Sequence, residues 1–182
     1  MSSSKNLGGV IFNSKLTWSN HIASAVGKIY GMLRNLWTVK CSTPFGIRML
    51  FAKTYLMPVL LYGCKMYANC DANDLRKLKV SYNNIARYVF NRGVRDSISG
   101  FSHQICNMCF ENLLKFKCLI LLHKIIYTAQ PIYLYGTINF CRSARGLILI
   151  QRKYKTNCFF WTSVPYLLHS TLEPITEENW NN

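Results

Sequence analysis

Acidic side chains are scarce in this chain, which has seven Asp and Glu residues against 22 Lys and Arg residues and a formal net charge of +15. Three of the seven, Glu173, Glu177 and Glu178, lie among the last ten residues, and the other four are scattered. Two-metal phosphoryl chemistry needs clustered carboxylates to hold Mg²⁺, so the shortage argues against that chemistry by this chain alone. The positive excess favours a polyanionic partner, with nucleic acid ahead of an anionic membrane.

Long apolar runs and a secretory leader are also missing. The run over residues 118–127 is interrupted by His123 and Lys124, and the run over residues 55–62 is too short to span a bilayer. The chain opens MSSSKNLGG, without the apolar segment of a signal peptide. We therefore predict an intracellular protein, in the cytoplasm or nucleus, with no membrane partner and with free thiols at its eight cysteines.

Sequence motifs for nucleotide cradles, nucleophiles and metals are weak or absent. The glycines form no G-x-G-x-x-G or G-x-x-x-x-G-K motif, and no histidine belongs to a recognised nucleophile motif. Cys106, Cys109, Cys118 and His123 could supply four zinc ligands on paper. Cys118 and His123 diverge by more than about 100° on a predicted apolar helix, which favours core cysteines instead. We predict no catalytic residue, no metal and no cofactor.

Apolar residues at helical spacing are abundant, and half of the chain is hydrophobic. They predict a mainly α fold, a bundle of about five helices with a short N-terminal strand and an irregular C-terminal segment. The central element is predicted at residues 43–69, with a helix-start signal at Ser42-Thr43 and a kink caused by Pro58 near Leu56-Met57. One predicted apolar face comprises Ile47, Leu50, Phe51, Tyr55, Val59 and Tyr62. The other faces are nearly as apolar, through Met49, Leu56, Leu60 and Leu61, which predicts a helix surrounded by others.

The remaining elements are arranged around that central helix. A single strand is predicted at residues 7–12, with its partner strands missing from the sequence. Further helices are predicted at about residues 18–39, 72–91 (with Asp71 as its cap), 101–110 and 111–128, the last one buried on all sides. Pro131 ends it, and residues 158–166 are predicted to form a strand or a hydrophobic plug.

Basic side chains interleaved with aromatic ones are the strongest functional signal. Arg76 and Arg87 lie three turns apart on one predicted helix and therefore share an outward face. An ordinary solvated face is the alternative, but the lopsided charge favours phosphate contact, with stacking on Trp37, Tyr82, Tyr88 and Phe90. The predicted nucleic-acid-binding residues are Lys28, Arg34, Arg76, Lys77, Lys79, Arg87, Arg92 and Arg95.

Four landmarks occur in an order found in a known family. The first is LGGVIFNSKLTWSNHI, with matches at Leu7, Gly8 or Gly9, Val10, Leu16, Trp18, His21 and Ile22. The second has matches at Arg48, Leu50, Phe51, Pro58, Leu60, Tyr62, Gly63 and Tyr67. Next come a helix with Arg87 and a segment from Asn112 to the Pro131-x-Tyr133-Leu134 end. Together they resemble the region that follows the catalytic aspartates in reverse transcriptases of non-LTR (LINE-like, jockey-type) retrotransposons.

The resemblance implies the thumb and downstream region of an RNA-directed DNA polymerase, without its catalytic palm and so not an enzyme on its own. Residues 1–17 would be the end of a truncated palm-like region, residues 18–135 a helical thumb-like domain, and residues 136–182 an irregular basic C-terminal segment and tail. The implied partners are an RNA/DNA duplex, gripped through its phosphate backbone, and the missing polymerase palm.

Two other interpretations stay open. One is a helical protein-interaction module that is basic for unrelated reasons. The other is a non-functional retroelement remnant, which departures from the family pattern favour: Asn13 and Leu61 stand where the family usually or frequently has an acid, and LLHST at residues 167–171 replaces a late Trp-Asn-Ser-Leu-Pro landmark.

Overall fold

The computed structural model describes residues 5–13, 17–67, 70–136, 138, 140–143 and 146–149. The chain is mainly helical with a short two-stranded sheet near its N-terminus, which confirms the predicted fold class. The helices are α1 (Ser19–Thr38), α2 (Phe45–Phe51), α3 (Met57–Leu61), α4 (Cys64–Tyr67), α5 (Ala72–Val89), α6 (Phe110–Thr128) and α7 (Ile132–Tyr135). The strands are β1 (Lys5–Leu7), β2 (Val10–Phe12), β3 (Phe140–Ser143) and β4 (Gly146–Leu149).

The N-terminal strand has its partner within the chain. Strand β1 pairs antiparallel with β2, with Leu7 opposite Val10. Gly8 and Gly9 connect them with φ values of 57° and 81°, the left-handed conformations that a tight two-residue hairpin requires. The prediction of one strand whose partners are missing is therefore wrong, because the two glycines form a turn and not a bulge within one strand.

Helices α1 and α5 run side by side in the same direction. Ser19 Oγ donates to Asp74 Oδ2 at 2.5 Å near their starts, and Lys40 Nζ donates to the Arg92 carbonyl at 2.6 Å beyond their ends. Each of the two helices buries one apolar face in the core, which includes Ile22, Ile29, Leu33, Leu78, Tyr82, Ile85 and Val89. Helix α5 stops two residues earlier than predicted, and Asn91 follows with a left-handed φ of 54°.

The central element breaks where Pro58 predicts. Residues Ala52–Leu56 form a π-helical turn between α2 and α3, directly before Pro58, which has no amide hydrogen to donate. The predicted cap is wrong: the Ser42 and Thr43 hydroxyls donate back to the Val39 carbonyl at 3.1 and 2.7 Å, beyond α1. Pro44 occupies the cap position of α2, which has no side-chain hydrogen bond.

The buried face of this element differs from the predicted one. Five of its buried residues follow one another at intervals of four, namely Arg48, Ala52, Leu56, Leu60 and Cys64, and Met57 and Tyr67 are buried as well. Ile47, Leu50, Phe51 and Tyr55 are exposed instead, Leu50 to 56%. A π turn is wider than the 3.6-residue α turn, so intervals of four stay on one side of the helix axis. The prediction that other helices surround this element is therefore wrong for α2 and the π turn, which expose one apolar side to solvent.

The chain divides into two compact units, Met1–Leu114 and Lys115–Asn182. Helix α6 crosses the boundary, and its predicted extent is confirmed, although the predicted helix before it is only a 3₁₀ turn at Ser102–Gln104. Phe116 and Ile120 are 46% and 45% exposed, so α6 is not buried on all sides. In the second unit, β3 pairs antiparallel with β4. Residues 158–166 lie outside the described residues, and the three-part domain division stays a prediction.

Candidate nucleic-acid interface

A groove of about 550 Å³ lies between the C-terminal halves of α1 and α5 in the first unit. Helix α1 supplies most of its wall. The α1 residues that line the groove are spaced by three and four, so they share one face of the helix. The loop after α5 closes one side through Val94. The lining residues are Tyr30, Leu33, Arg34, Trp37, Thr38, Asn84 and Val94. The groove is therefore largely apolar, with Arg34 as the charged residue of its lining.

A chain of hydrogen bonds fixes the α5 side of the groove. The Asn84 side-chain nitrogen donates to the Tyr30 hydroxyl at 3.1 Å, and Asn84 Oδ1 accepts from Arg87 Nη1 at 2.8 Å. Arg87 Nε also donates to the Asp96 carbonyl at 3.3 Å. Arg87 thus orients Asn84 and holds the following loop, and it is half-buried.

Two buried cations lie at the helix ends next to the groove. Lys40 Nζ donates to the Arg92 carbonyl and lies 4.2 Å from the centre of the Trp37 ring. Arg48 Nη1 donates to the Lys40 carbonyl at 3.3 Å. Both carbonyls follow a helix C-terminus, where cations offset the negative end of the helix dipole. Burial lowers the pKa of Lys40, and the nearby Arg48 charge lowers it further.

Neither buried cation was among the predicted site residues. No carboxylate of the described residues forms an ion pair with Lys40 or Arg48, so both charges add to the positive field beside the groove. One sequence signal could have identified Lys40, namely its position two residues after the end of α1. A cation at that place suits a helix C-terminus.

The eight predicted residues do not gather on one face. Arg34 lines the groove, and Arg92 and Arg95 are exposed in the adjoining loop, where Arg92 lies 4.9 Å from the Phe101 ring centre. Lys28 lies about 120° from Arg34 around α1, and Arg76 lies about 16 Å from Arg87 along α5.

Two of the predicted lysines have acidic partners. Lys77 Nζ is 2.7 Å from Asp74 Oδ1, and Lys79 Nζ is 2.7 Å from Glu111 Oε1. The hydrogen bond to Glu111 raises the pKa of Lys79. Much of each positive charge is therefore already balanced within the protein, which leaves these lysines weaker candidates for phosphate contact than Arg34.

The predicted stacking residues separate into two groups. Tyr82 and Tyr88 are fully buried in the core, and Phe90 contacts the rings of Phe45 and Phe101. Their predicted role as exposed platforms is therefore wrong for the two tyrosines, because Tyr82 packs against the Phe110 ring and Tyr88 is enclosed in the core. Trp37 does line the groove. Tyr30, which sequence analysis missed, joins it from one helix turn before Arg34 on α1.

Comparisons with family models, curated proteins and solved structures found no match for this chain. The resemblance to non-LTR reverse transcriptases therefore stays a prediction. Within the described residues, no group of three His, Cys, Asp or Glu side chains is placed to hold a metal ion. No helix in the same part of the chain is both long and apolar enough to cross a bilayer.

Proposed function

We propose that this chain binds nucleic acid through its phosphate backbone, at the α1–α5 groove and the loop that follows α5. The observation that carries the proposal is Arg34, an exposed cation in an aromatic-lined groove. The buried Lys40 ammonium group contacts the groove residue Trp37 and adds a second positive charge there. The chain's net charge of +15 supplies a long-range attraction to any polyanion. Contact of this kind depends on phosphates and carries no base sequence information.

The biological setting that we propose is the thumb of a retrotransposon RNA-directed DNA polymerase, holding an RNA/DNA duplex beside a palm that carries the catalytic aspartates. This chain would grip the duplex and would not itself catalyse polymerisation. Within the predicted set, Arg34, Arg92 and Arg95 form the main contact, and Lys28 and Arg76 contribute to the general field. Lys77, Lys79 and Arg87 are secondary, because each bonds to another part of the protein.

The salt dependence of duplex binding tests this proposal. Arg34→Gln and Lys79→Gln each remove one positive charge, but only Arg34 lies in the groove. Fluorescence anisotropy with a labelled RNA/DNA duplex would give the dissociation constant across a salt series. We expect Arg34→Gln to reduce the magnitude of the log–log slope by about 0.9, the value for one phosphate contact in duplex DNA, and Lys79→Gln to reduce it less.

Two outcomes would contradict the proposal. Absence of duplex binding at low salt, or binding that does not change with salt, would exclude a phosphate contact. Equal losses from the two variants would mean that the whole charge of the molecule attracts the duplex, without a local site.

A second candidate function is protein docking, favoured by an exposed apolar stripe on α2 and the π turn. We define the apolar stripe as Ile47, Leu50, Phe51 and Tyr55, all of which are exposed. Lys53 and Lys65 are exposed beside this segment, and residues 43–70 contain no acid. An acidic amphipathic helix of another protein complements such a surface, whereas a second copy of this chain carries +15 and is repelled.

Calorimetry with a synthetic acidic amphipathic helical peptide tests the docking candidate. Leu50→Glu places a charge in the apolar stripe, and Val80→Glu places the same charge at another exposed apolar residue, on α5. If the stripe docks the helix, Leu50→Glu should abolish peptide binding and Val80→Glu should preserve it. Equal effects of the two variants, or a concentration-dependent homodimer, would exclude this partner.

A further inference from the structure

We infer that the α1–α5 groove holds the base of one unpaired nucleotide, with the adjoining phosphate at Arg34. The inference rests on the proposed function and deepens it, because it gives the site a preference for single-stranded segments over a blunt duplex. A duplex presents its phosphates outward and hides its base faces. The groove, by contrast, offers an apolar recess with a single charged lining residue.

The size and lining of the groove suit a flat ring. Its volume of about 550 Å³ falls within the range of small-ligand pockets, and phosphate contact alone needs no such recess. Tyr30 and Trp37 supply aromatic faces, and Leu33 and Val94 supply hydrocarbon. Every nucleobase has a π face that stacks on such rings, so stacking alone admits any base.

Both aromatic side chains are held in position before a ligand arrives. Tyr30 accepts a hydrogen bond from Asn84, which Arg87 fixes in turn. Trp37 is held against the Lys40 ammonium group. A ligand therefore meets rings whose rotational freedom is already reduced, which lowers the entropy cost of stacking.

The polar atoms of the groove suit a base edge. An amide nitrogen carries two hydrogens, and Asn84 uses one of them on the Tyr30 hydroxyl. Among the residues that the structure describes, none accepts the second amide hydrogen or the Tyr30 hydroxyl hydrogen, so both can donate to a ligand. Both are donors, so they match carbonyl oxygens, and thymine and uracil each carry two of these.

The surrounding charge suits the phosphates on either side of that base. Arg34 lies in the groove itself, and Arg92 and Arg95 flank Val94 in the loop that closes it. A single strand whose base enters the groove would place its neighbouring phosphates along these arginines. The phosphates therefore provide the electrostatic part of the affinity, and the base provides the stacking part.

The test measures how much of the binding affinity comes from the base and how much from the phosphates. Anisotropy would compare the full chain's affinity for labelled oligo(dT) with its affinity for an abasic oligonucleotide of the same length and charge. We expect oligo(dT) to bind at least about five-fold more tightly, as one stacked base provides. Tyr30→Leu should remove most of that preference, whereas Tyr30→Phe, which keeps the ring, should retain it.

Equal affinities for oligo(dT) and the abasic strand would overturn the inference and leave the proposed function standing. A preference that survives unchanged in Tyr30→Leu would place the base elsewhere and would also overturn it. Absence of binding to both strands and to the duplex would overturn the proposed function as well. Tyr30 is 42% exposed and belongs to no buried cluster of the described residues, so its variants should fold.

Discussion

Helix α1 and the segment from α2 to α3 pack on the same core, but they present opposite surfaces to solvent. Helix α1 buries Ile29 and Leu33 and exposes Arg34. The α2–α3 segment buries Arg48 and Leu56 and exposes Leu50. Helix α1 follows the usual arrangement, with apolar side chains buried and charged side chains exposed. The α2–α3 segment partly reverses this arrangement. The buried face of the second segment is still mostly apolar, but its π turn determines which of the many apolar residues lie on that face.

The largest expected effect on stability comes from replacing a buried leucine of that segment with alanine. Leu56 is fully buried, so Leu56→Ala should lower the free energy of unfolding by about 2–5 kcal/mol. Leu50→Ala, at an exposed position, should change it by less than about 0.5 kcal/mol. Urea unfolding followed by circular dichroism would measure both. The reverse order would mean that the regular α spacing holds and that the π turn does not exist in solution.

A smaller effect should distinguish two ion pairs of equal length. The Lys77–Asp74 and Lys79–Glu111 pairs are both 2.7 Å long, but Asp74 is buried and Glu111 is exposed. Asp74→Asn should cost about 1–3 kcal/mol, because it weakens a buried charged acceptor that Ser19 also contacts. Glu111→Gln, the matched control, should cost less than about 1 kcal/mol. Equal losses of unfolding free energy in the two variants would mean that burial of Asp74 does not make its ion pair more stabilising.

The loss of stability at acidic pH should be smaller in the Asp74→Asn variant than in wild type. Burial by itself would raise the pKa of Asp74, but hydrogen bonds from Lys77 and Ser19 and the Lys77 charge lower it below its ordinary value. The stabilisation is therefore present above the unfolded-state pKa of about 4 and is lost as pH falls through the folded-state pKa. Unfolding measured from neutral to acidic pH should show a shallower decline for Asp74→Asn than for wild type. An unchanged decline would assign the acid sensitivity to other groups.

Sequence periodicity was sufficient for α1 and α5 because both are unbroken α-helices whose buried residues follow 3.6-residue spacing. Periodicity and Pro58 located the interruption of the central helix but did not predict a π turn, since a proline can produce a kink, a break or a wider turn. The N-terminal hairpin was missed for a related reason. Two adjacent glycines permit both a bulge and a two-residue turn, and pairing with residues 5–7 decides between them.

The candidate site was predictable only in part. Arg34 and Trp37 were found because a basic residue and an aromatic residue lie close together on one helix. Lys40 and Arg48 were missed, because no local pattern shows that a cation turns inward to bind the carbonyls at a helix end. Tyr30 and Asn84 meet through a contact between residues 54 positions apart, which helix spacing alone does not give.

The π turn at Ala52–Leu56 also has a consequence for insertions and deletions. A π turn holds about one residue more than an α turn, so loss of one residue there would restore ordinary α geometry and leave α2 and α3 in nearly the same relative rotation. The guanidinium of Arg48 would stay at the carbonyl beyond the end of α1, and the apolar stripe would stay exposed. This segment should therefore tolerate the loss of one codon inside the π turn, whereas a deletion in a regular α-helix rotates one side against the other by about 100°.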